Sequence, residues 1–121
     1  MLDPNFILLY VASPAASAEF YAQLLGGAPI EQSPTFAMFA LPSGTRLGLW
    51  LRDTVEPAAT GTPGAGELAF ALGSRDAVDA LHAQWSGRGM PIVQAPQAMD
   101  FGYTFVSQDL DGHRLRVFVP G

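Results

Sequence analysis

No cysteine occurs in this chain, so disulfides, thiol nucleophiles and thiolate metal sites are all excluded. Lysine is missing too: the six basic residues are all arginine, against eleven acidic ones, for a formal charge of −5. Binding phosphate backbones needs a basic face, so no nucleic-acid partner is expected. Long apolar runs are also absent. The stretch Phe6 to Val11 has six residues, far short of the roughly 20 that span a bilayer, and no basic segment precedes it. No membrane partner follows, and a cytoplasmic location is the default expectation.

Familiar catalytic constellations are missing as well. Ser13 and Ser74 precede helical patterns as caps, and Ser107 has no histidine and acid arranged beside it. The glycines of GTPGAG, 61–66, lack the lysine and the strand-to-helix setting of a phosphate loop. The two histidines, His82 and His113, have no paired spacing and receive no role.

What is present is ample core material: 49% of the 121 residues are hydrophobic, with a mean hydropathy of +0.21. That suits one compact domain, small enough that a second copy would usefully cover its surface. The chain is also written twice. FILLYVASPAASAEFYAQLLGGAPI, 6–30, aligns with ELAFALGSRDAVDALHAQWSGRGMPI, 67–92, at an offset of 61; SGTRLGLWL, 43–51, aligns with DGHRLRVFV, 111–119, at an offset of 68. Repeats fix architecture before any single motif does.

Each half reads as a strand, a helix and three strands. In the first, Phe6 to Val11 is a strand, Ser13-Pro14 caps a helix with the stripe Ala16, Phe20, Leu24 and Leu25, and Gly26-Gly27 stops it. Short apolar runs follow at 28–32, 36–41 and 46–52. In the second, Ser74 caps, Val78, Leu81 and Trp85 form the buried stripe, and Gly87 stops. The intervening 53–66, rich in Pro, Gly, Thr and Ala, reads as a linker. The fold class is therefore α+β: two tandem βαβββ units forming a curved mixed sheet, 1–52 and 67–121.

With that order of elements, FYAQLLG in the first helix, ELAF opening the second half and DLDGHRLRVF closing it, the chain resembles the vicinal oxygen chelate superfamily. That group includes glyoxalases, extradiol dioxygenases, fosfomycin-type resistance enzymes and bleomycin-binding proteins. TFAMFALPSGTRLGLW is similar to the small antibiotic-binding branch, which includes phenazine-binding resistance proteins. The resemblance implies a single glyoxalase-like domain over 1–121, paired with a second copy as a domain-swapped homodimer. Its metal-ligand places fall on Phe6, Gly48, Glu67 and Arg116. Phenylalanine and glycine offer no ligand atom and arginine repels a divalent cation, so no metal and no other cofactor is expected.

Strand residues alternate between faces, and those four places select the parity of the pocket. Phe6, Leu8 and Tyr10 share it, as do Arg46, Gly48, Trp50 and Arg52; so do Glu67, Ala69 and Ala71, and Arg114, Arg116 and Phe118. The other parity, Leu47, Leu49, Leu51, Leu115, Val117 and Val119, is aliphatic and belongs against the helices. Aromatic walls, small residues and a few charges suit a flat, partly polar molecule. The ligand-binding set read this way is Phe6, Leu8, Tyr10, Phe36, Met38, Gly48, Trp50, Glu67, Ala69, Tyr103, Arg116 and Phe118. Parity leaves Met38 and Tyr103 on either face, and Trp50 and Phe118 also fit a packing role. Met99 and Phe101, with Tyr103, flank Gly102 in a hairpin loop.

Two functions compete. One is stoichiometric sequestration of a planar aromatic or bleomycin-like antibiotic, without chemistry and with no catalytic residue. The other is a glyoxalase-like metal-dependent lyase, transferase or dioxygenase, or a metal-free catalyst with Glu67 as general base. Glu67 in an apolar cleft needs a neutralising cation, and Arg116 is placed to supply it; their side chains should meet.

Overall fold

The structure, a computed structural model, describes all residues from Met1 to Gly121. It divides into two compact units, Met1–Gly61 and Thr62–Gly121. The first holds β1 (Phe6–Val11), α1 (Pro14–Leu25), β2 (Glu31–Gln32), β3 (Phe36–Ala40), β4 (Arg46–Leu51) and a single 3₁₀ turn, Arg52–Thr54. The second holds β5 (Glu67–Ala71), α2 (Arg75–Gly87), β6 (Ile92–Met99), β7 (Gly102–Gln108) and β8 (Arg114–Pro120). The βαβββ order is therefore present twice. The hydrogen-bonded ladders form two four-stranded sheets, β1-β4-β3-β2 and β5-β8-β7-β6, in place of the one sheet expected.

The repeat offsets reappear as register. In the parallel pairs, Phe6 lies opposite Arg46 and Glu67 opposite Arg114, each the first couple of its ladder. Parity is thereby fixed for each unit. Leu47 and Leu49 are fully buried in the first and Leu115 and Val117 in the second, all on the side the alternation assigned to the helices.

Both helices begin where the cap signals place them. Ser13 Oγ accepts from the Ala16 N–H at 3.2 Å and Ser74 Oγ from the Ala77 N–H at 3.0 Å. Gly26 closes α1 in the left-handed region at φ 77°, its N–H bonded to the Ala22 carbonyl at 3.0 Å. α2 runs through Gly87, and its positive φ falls two residues later, at Gly89. The buried face of α1 is Pro14, Ser17, Ala18 and Tyr21, one position round from the expected stripe, which leaves Ala16 exposed. Tyr21 explains the rotation, because the largest side chain of the helix is fully buried and sets which face turns inward. In the second unit Trp85 is 3% exposed and meets Phe70 and Phe105 edge-on, with ring centroids 6.3 and 5.5 Å apart. No helix is long and apolar enough to cross a membrane.

Within 53–66, Val55 is buried, so the linker is anchored at its start. Arg52 ties it further, giving a 2.7 Å hydrogen bond to the Gly61 carbonyl.

Candidate functional site

In the first unit, register gathers the expected residues on one face. Leu8 lies opposite Gly48 and Tyr10 opposite Trp50 across β1 and β4, while Phe36 is opposite Trp50 and Met38 opposite Gly48 across β3 and β4. Opposed residues in a ladder point the same way, which places Met38 on the pocket parity. Gly48 lets its neighbours close over the strand: a Cβ there would lie 2.7 Å from Leu8 Cδ2 and 2.8 Å from Phe36 Cζ. Tyr10 and Trp50 meet edge-on with centroids 6.2 Å apart. Phe6, at the end of the strand, is 54% exposed.

In the second unit the corresponding face is charged. Arg116 holds Glu67 with a two-pronged grip, Nε donating to Oε1 at 2.7 Å and Nη2 to Oε2 at 3.0 Å. Its Nη1 donates to Gln94 Oε1 at 3.3 Å and to Thr104 Oγ1 at 3.2 Å. The Thr104 hydroxyl is buried and gives its own proton to the Val117 carbonyl at 2.9 Å, so it is oriented to accept. The Arg116 hydrogen bonds hold the Glu67 carboxyl below the usual carboxylate range, against a smaller opposing effect of burial and with help from the Arg116 and Arg114 charges.

One aromatic ring lies against Arg116. Phe101, in the β6–β7 hairpin, meets Phe118 edge-on at 5.9 Å between centroids, and the Arg116 guanidinium carbon lies 5.5 Å from the centre of the Phe101 ring. Ala69 stands opposite Arg116 in the β5–β8 ladder and leaves room above it. A cleft of about 260 Å³ adjoins Arg116, lined by Val93, Gln94, Val106, Arg114 and Arg116 and by neither of these rings.

Tyr103, which strand alternation left on either face, lies on the helix side. Its ladder partner is Val119, whose parity is that of Val117 and Leu115, so it faces α2 and not the charged face. There its hydroxyl donates to Asp79 at 2.6 Å, and the Arg75 guanidinium lies 4.8 Å from its ring centre. The Asp79 hydrogen bond pushes the phenol pKa up. Gly102 opens β7 at this point. Its φ of 150° and its position against the Val119 carbonyl oxygen, which a Cβ would strike, start β7 one residue before Tyr103.

Sequence reasoning missed Gln94 and Thr104 as members of this face and left Phe101 in a hairpin loop that could lap over a ligand or merely turn the chain. Thr104 and Phe118 are ladder partners, a relation available once β7 and β8 are aligned. Gln94 was less accessible, because β6 shifts register twice against β7 around the stretch containing Pro96.

His113 and His82 are explained locally. Asp109 is buried and closes the turn before β8, accepting from the backbone N–H of Asp111 at 3.0 Å and of His113 at 2.9 Å, with His113 Nδ1 2.8 Å from its other oxygen. Asp109, Asp111 and His113 are thereby within 4.8 Å of one another as a consequence of turn closure. His82 sits edge-on to Phe105 at 5.3 Å.

The places where a metal would be expected do not suit one. Glu67 has both oxygens engaged by a cation, Arg116 is itself that cation, and Phe6 and Gly48 carry no donor atom.

Comparison with known proteins gives a consistent picture. A family model described as the Glyoxalase/Bleomycin resistance protein/Dioxygenase superfamily matches residues 4–117. Among curated proteins, the phenazine antibiotic resistance protein EhpR of Enterobacter agglomerans is 28% identical over 119 residues, 96% of this chain and 91% of that protein. Among solved structures, protein ATC0852 of Agrobacterium tumefaciens is 50% identical with a TM-score of 0.91, covering 100% of this chain and 99% of that one. A glyoxalase-related enzyme from Fulvimarina pelagi is similar in fold, at 23% identity and a TM-score of 0.85 over 98% of this chain and 88% of its own.

Proposed function

The chain belongs to the glyoxalase/bleomycin resistance protein/dioxygenase superfamily, and on that premise we propose that it binds a planar aromatic antibiotic and protects by sequestration. The observation that carries this reading is the Glu67–Arg116 pair. It occupies two of the places where metal-dependent relatives are expected to hold a cation, and its Arg116 guanidinium lies against the Phe101 ring, which in turn meets Phe118 edge-on. Such a face offers ring contact and a fixed polar edge but no Lewis acid and no free base, since Glu67 is held as an ion-paired carboxylate. Tyr10, Phe36 and Trp50 supply a second aromatic face in the first unit. The likeness to a phenazine antibiotic resistance protein supports a flat, fused-ring ligand. Pairing with a second copy belongs to the same reading, and the exposed apolar residues of β1, Phe6, Ile7 and Leu8, support it.

Calorimetric titration with phenazine tests the binding, and elemental analysis of the purified protein tests the chemistry. The expected result is saturable binding with one ligand per cleft, recovery of the ligand unchanged, and no stoichiometric transition metal. Turnover of the ligand, or a tightly held metal at one per chain, would overturn sequestration in favour of an enzyme.

A further inference from the structure

Gln94 and Met99 are five positions apart on β6, a spacing that puts two side chains on opposite faces of a regular strand. Here they touch. Register shifts between Ile92 and Gln94 and between Gln94 and Gln97 undo the alternation, and the Gln94 side-chain Nε2 donates to the Met99 sulfur at 3.5 Å. The other end of the same amide is also engaged, since Gln94 Oε1 accepts from Arg116 Nη1 at 3.3 Å. Arginine can only donate, so the carbonyl must face Arg116 and the amide nitrogen the sulfur. Gln94, Val106 and Arg116 form one row across β6, β7 and β8, and the two polar side chains meet across the valine, which is 1% exposed.

Met99 is also the methionine of the folded elements that solvent reaches best. Of the four in the chain, Met1 is at the terminus, Met38 and Met90 are half-buried, and Met99 is 41% exposed. An exposed thioether is open to peroxides. Its sulfur attacks one peroxide oxygen, an S–O bond forms as the O–O bond breaks, and hydroxide leaves; the hydroxyl proton on sulfur then passes to it as water. Sulfur has lost two electrons and the peroxide has gained them. The sulfoxide oxygen accepts a hydrogen bond far more strongly than the thioether sulfur did, and it has to be fitted beside an amide only one contact away. The Gln94 link to Arg116, at 3.3 Å, is longer than the two Arg116–Glu67 bonds at 2.7 and 3.0 Å, so Gln94 separates while the ion pair holds.

We propose that Met99 is an oxidation site for peroxides and that Gln94 transmits its state to Arg116. With the thioether reduced, Gln94 is held with its carbonyl on Arg116; with the sulfoxide formed, that support is withdrawn and the charged face of the second unit is left on Glu67 and Thr104 alone. Gln94 is a positioning residue in this arrangement. Sulfoxide formation is reversible by enzymatic reduction, so the change is a switch as well as a lesion. The proposal concerns the Arg116 network itself and stands independently of the antibiotic reading.

The test treats the purified protein with hydrogen peroxide, maps each methionine by peptide mass, and follows the Gln94 side-chain amide and the Arg116 Nε–H by NMR. Met99 is expected to oxidise about fivefold faster than Met38 and Met90, and both resonances should move in step with its sulfoxide. Met99→Leu, a volume-conserving change at an exposed position, should fold and should leave both resonances in place under the same peroxide. Gln94→Glu is the sharper variant: it keeps an acceptor for Arg116 but has no N–H for the sulfur, so Met99 should still oxidise while the Arg116 resonance stays put. Addition of methionine sulfoxide reductase with a thiol reductant should return the wild-type spectrum. Oxidation of Met99 no faster than Met38 overturns the site. Complete Met99 oxidation with unmoved Gln94 and Arg116 resonances, or an Arg116 shift that persists in Met99→Leu or Gln94→Glu, overturns the transmission.

Discussion

Glu67 and Arg116 are 49 residues apart in sequence and meet only because β5 and β8 are parallel neighbours in register. Period-two alternation on each strand brought both to one face, and the chemistry of an acid in an aromatic cleft required a cation; that contact was legible before any coordinates. Both side chains are partly open to water, at 31% and 17% exposure, so the pair is worth less than a buried one. A double-mutant cycle of Glu67→Gln and Arg116→Met in urea unfolding should give a coupling of about 0.5–1.5 kcal/mol, and strict additivity would show that the two do not act together. The Glu67 pKa is lower in the folded protein than its ordinary value of 4.5. Its stabilising contribution is therefore present above that value and is lost as the pH falls below it toward the folded pKa. Glu67→Gln should flatten this part of the stability profile below pH 4.5, and an unaltered profile would remove Glu67 as its source. Tyr103, by contrast, was not legible, because one residue's difference in where a strand starts exchanges the faces of everything after it.

Elements were easier to read at their beginnings than at their ends. Serine caps announce both helices through a side-chain oxygen, a local signal, whereas the inward face of α1 depends on Tyr21 finding space in the core, a tertiary one. The β6–β7 hairpin shows the same division. Gly102 was visible as a turn residue, yet what it does depends on the Val119 carbonyl of a different strand, against which no side chain fits. Gly102→Ala combines this backbone clash with a φ of 150° and should destabilise the protein by about 2–4 kcal/mol in chemical denaturation. Gly48→Ala makes the informative contrast. Its Cβ would press on Leu8 Cδ2 and Phe36 Cζ, the ends of side chains that can turn aside into an open face. Stability should change by less than about 1 kcal/mol, while affinity for phenazine should fall about tenfold as Leu8 and Phe36 are pushed outward from the strand. Equal losses of stability at the two glycines would mean that the Gly48 face is packed core and no cleft.

For the molecule as a whole, the repeat was the most legible feature, since its offsets of 61 and 68 become the first couples of the two parallel ladders. Where a second copy would sit is written less openly, because an edge strand that is apolar on both faces reads in sequence like any buried strand. β1 is such an edge, with Phe6 at 54%, Leu8 at 45% and Ile7 at 36% exposure. If a second copy covers it, light scattering should give twice the chain mass of 12.8 kDa, and Phe6→Asp should shift the population toward the single chain. The charge then makes a further demand. Each copy carries a formal −5, so association brings together two like-charged bodies and must be driven by apolar burial against that repulsion. Salt weakens the repulsion, as the screening length falls from roughly 30 Å at 0.01 M to 8 Å at 0.15 M, and leaves apolar contact intact. Dimer affinity measured by sedimentation should accordingly rise with sodium chloride across that range. Dissociation by salt would instead identify an interface held by ion pairs and would turn attention from β1 to the six arginines.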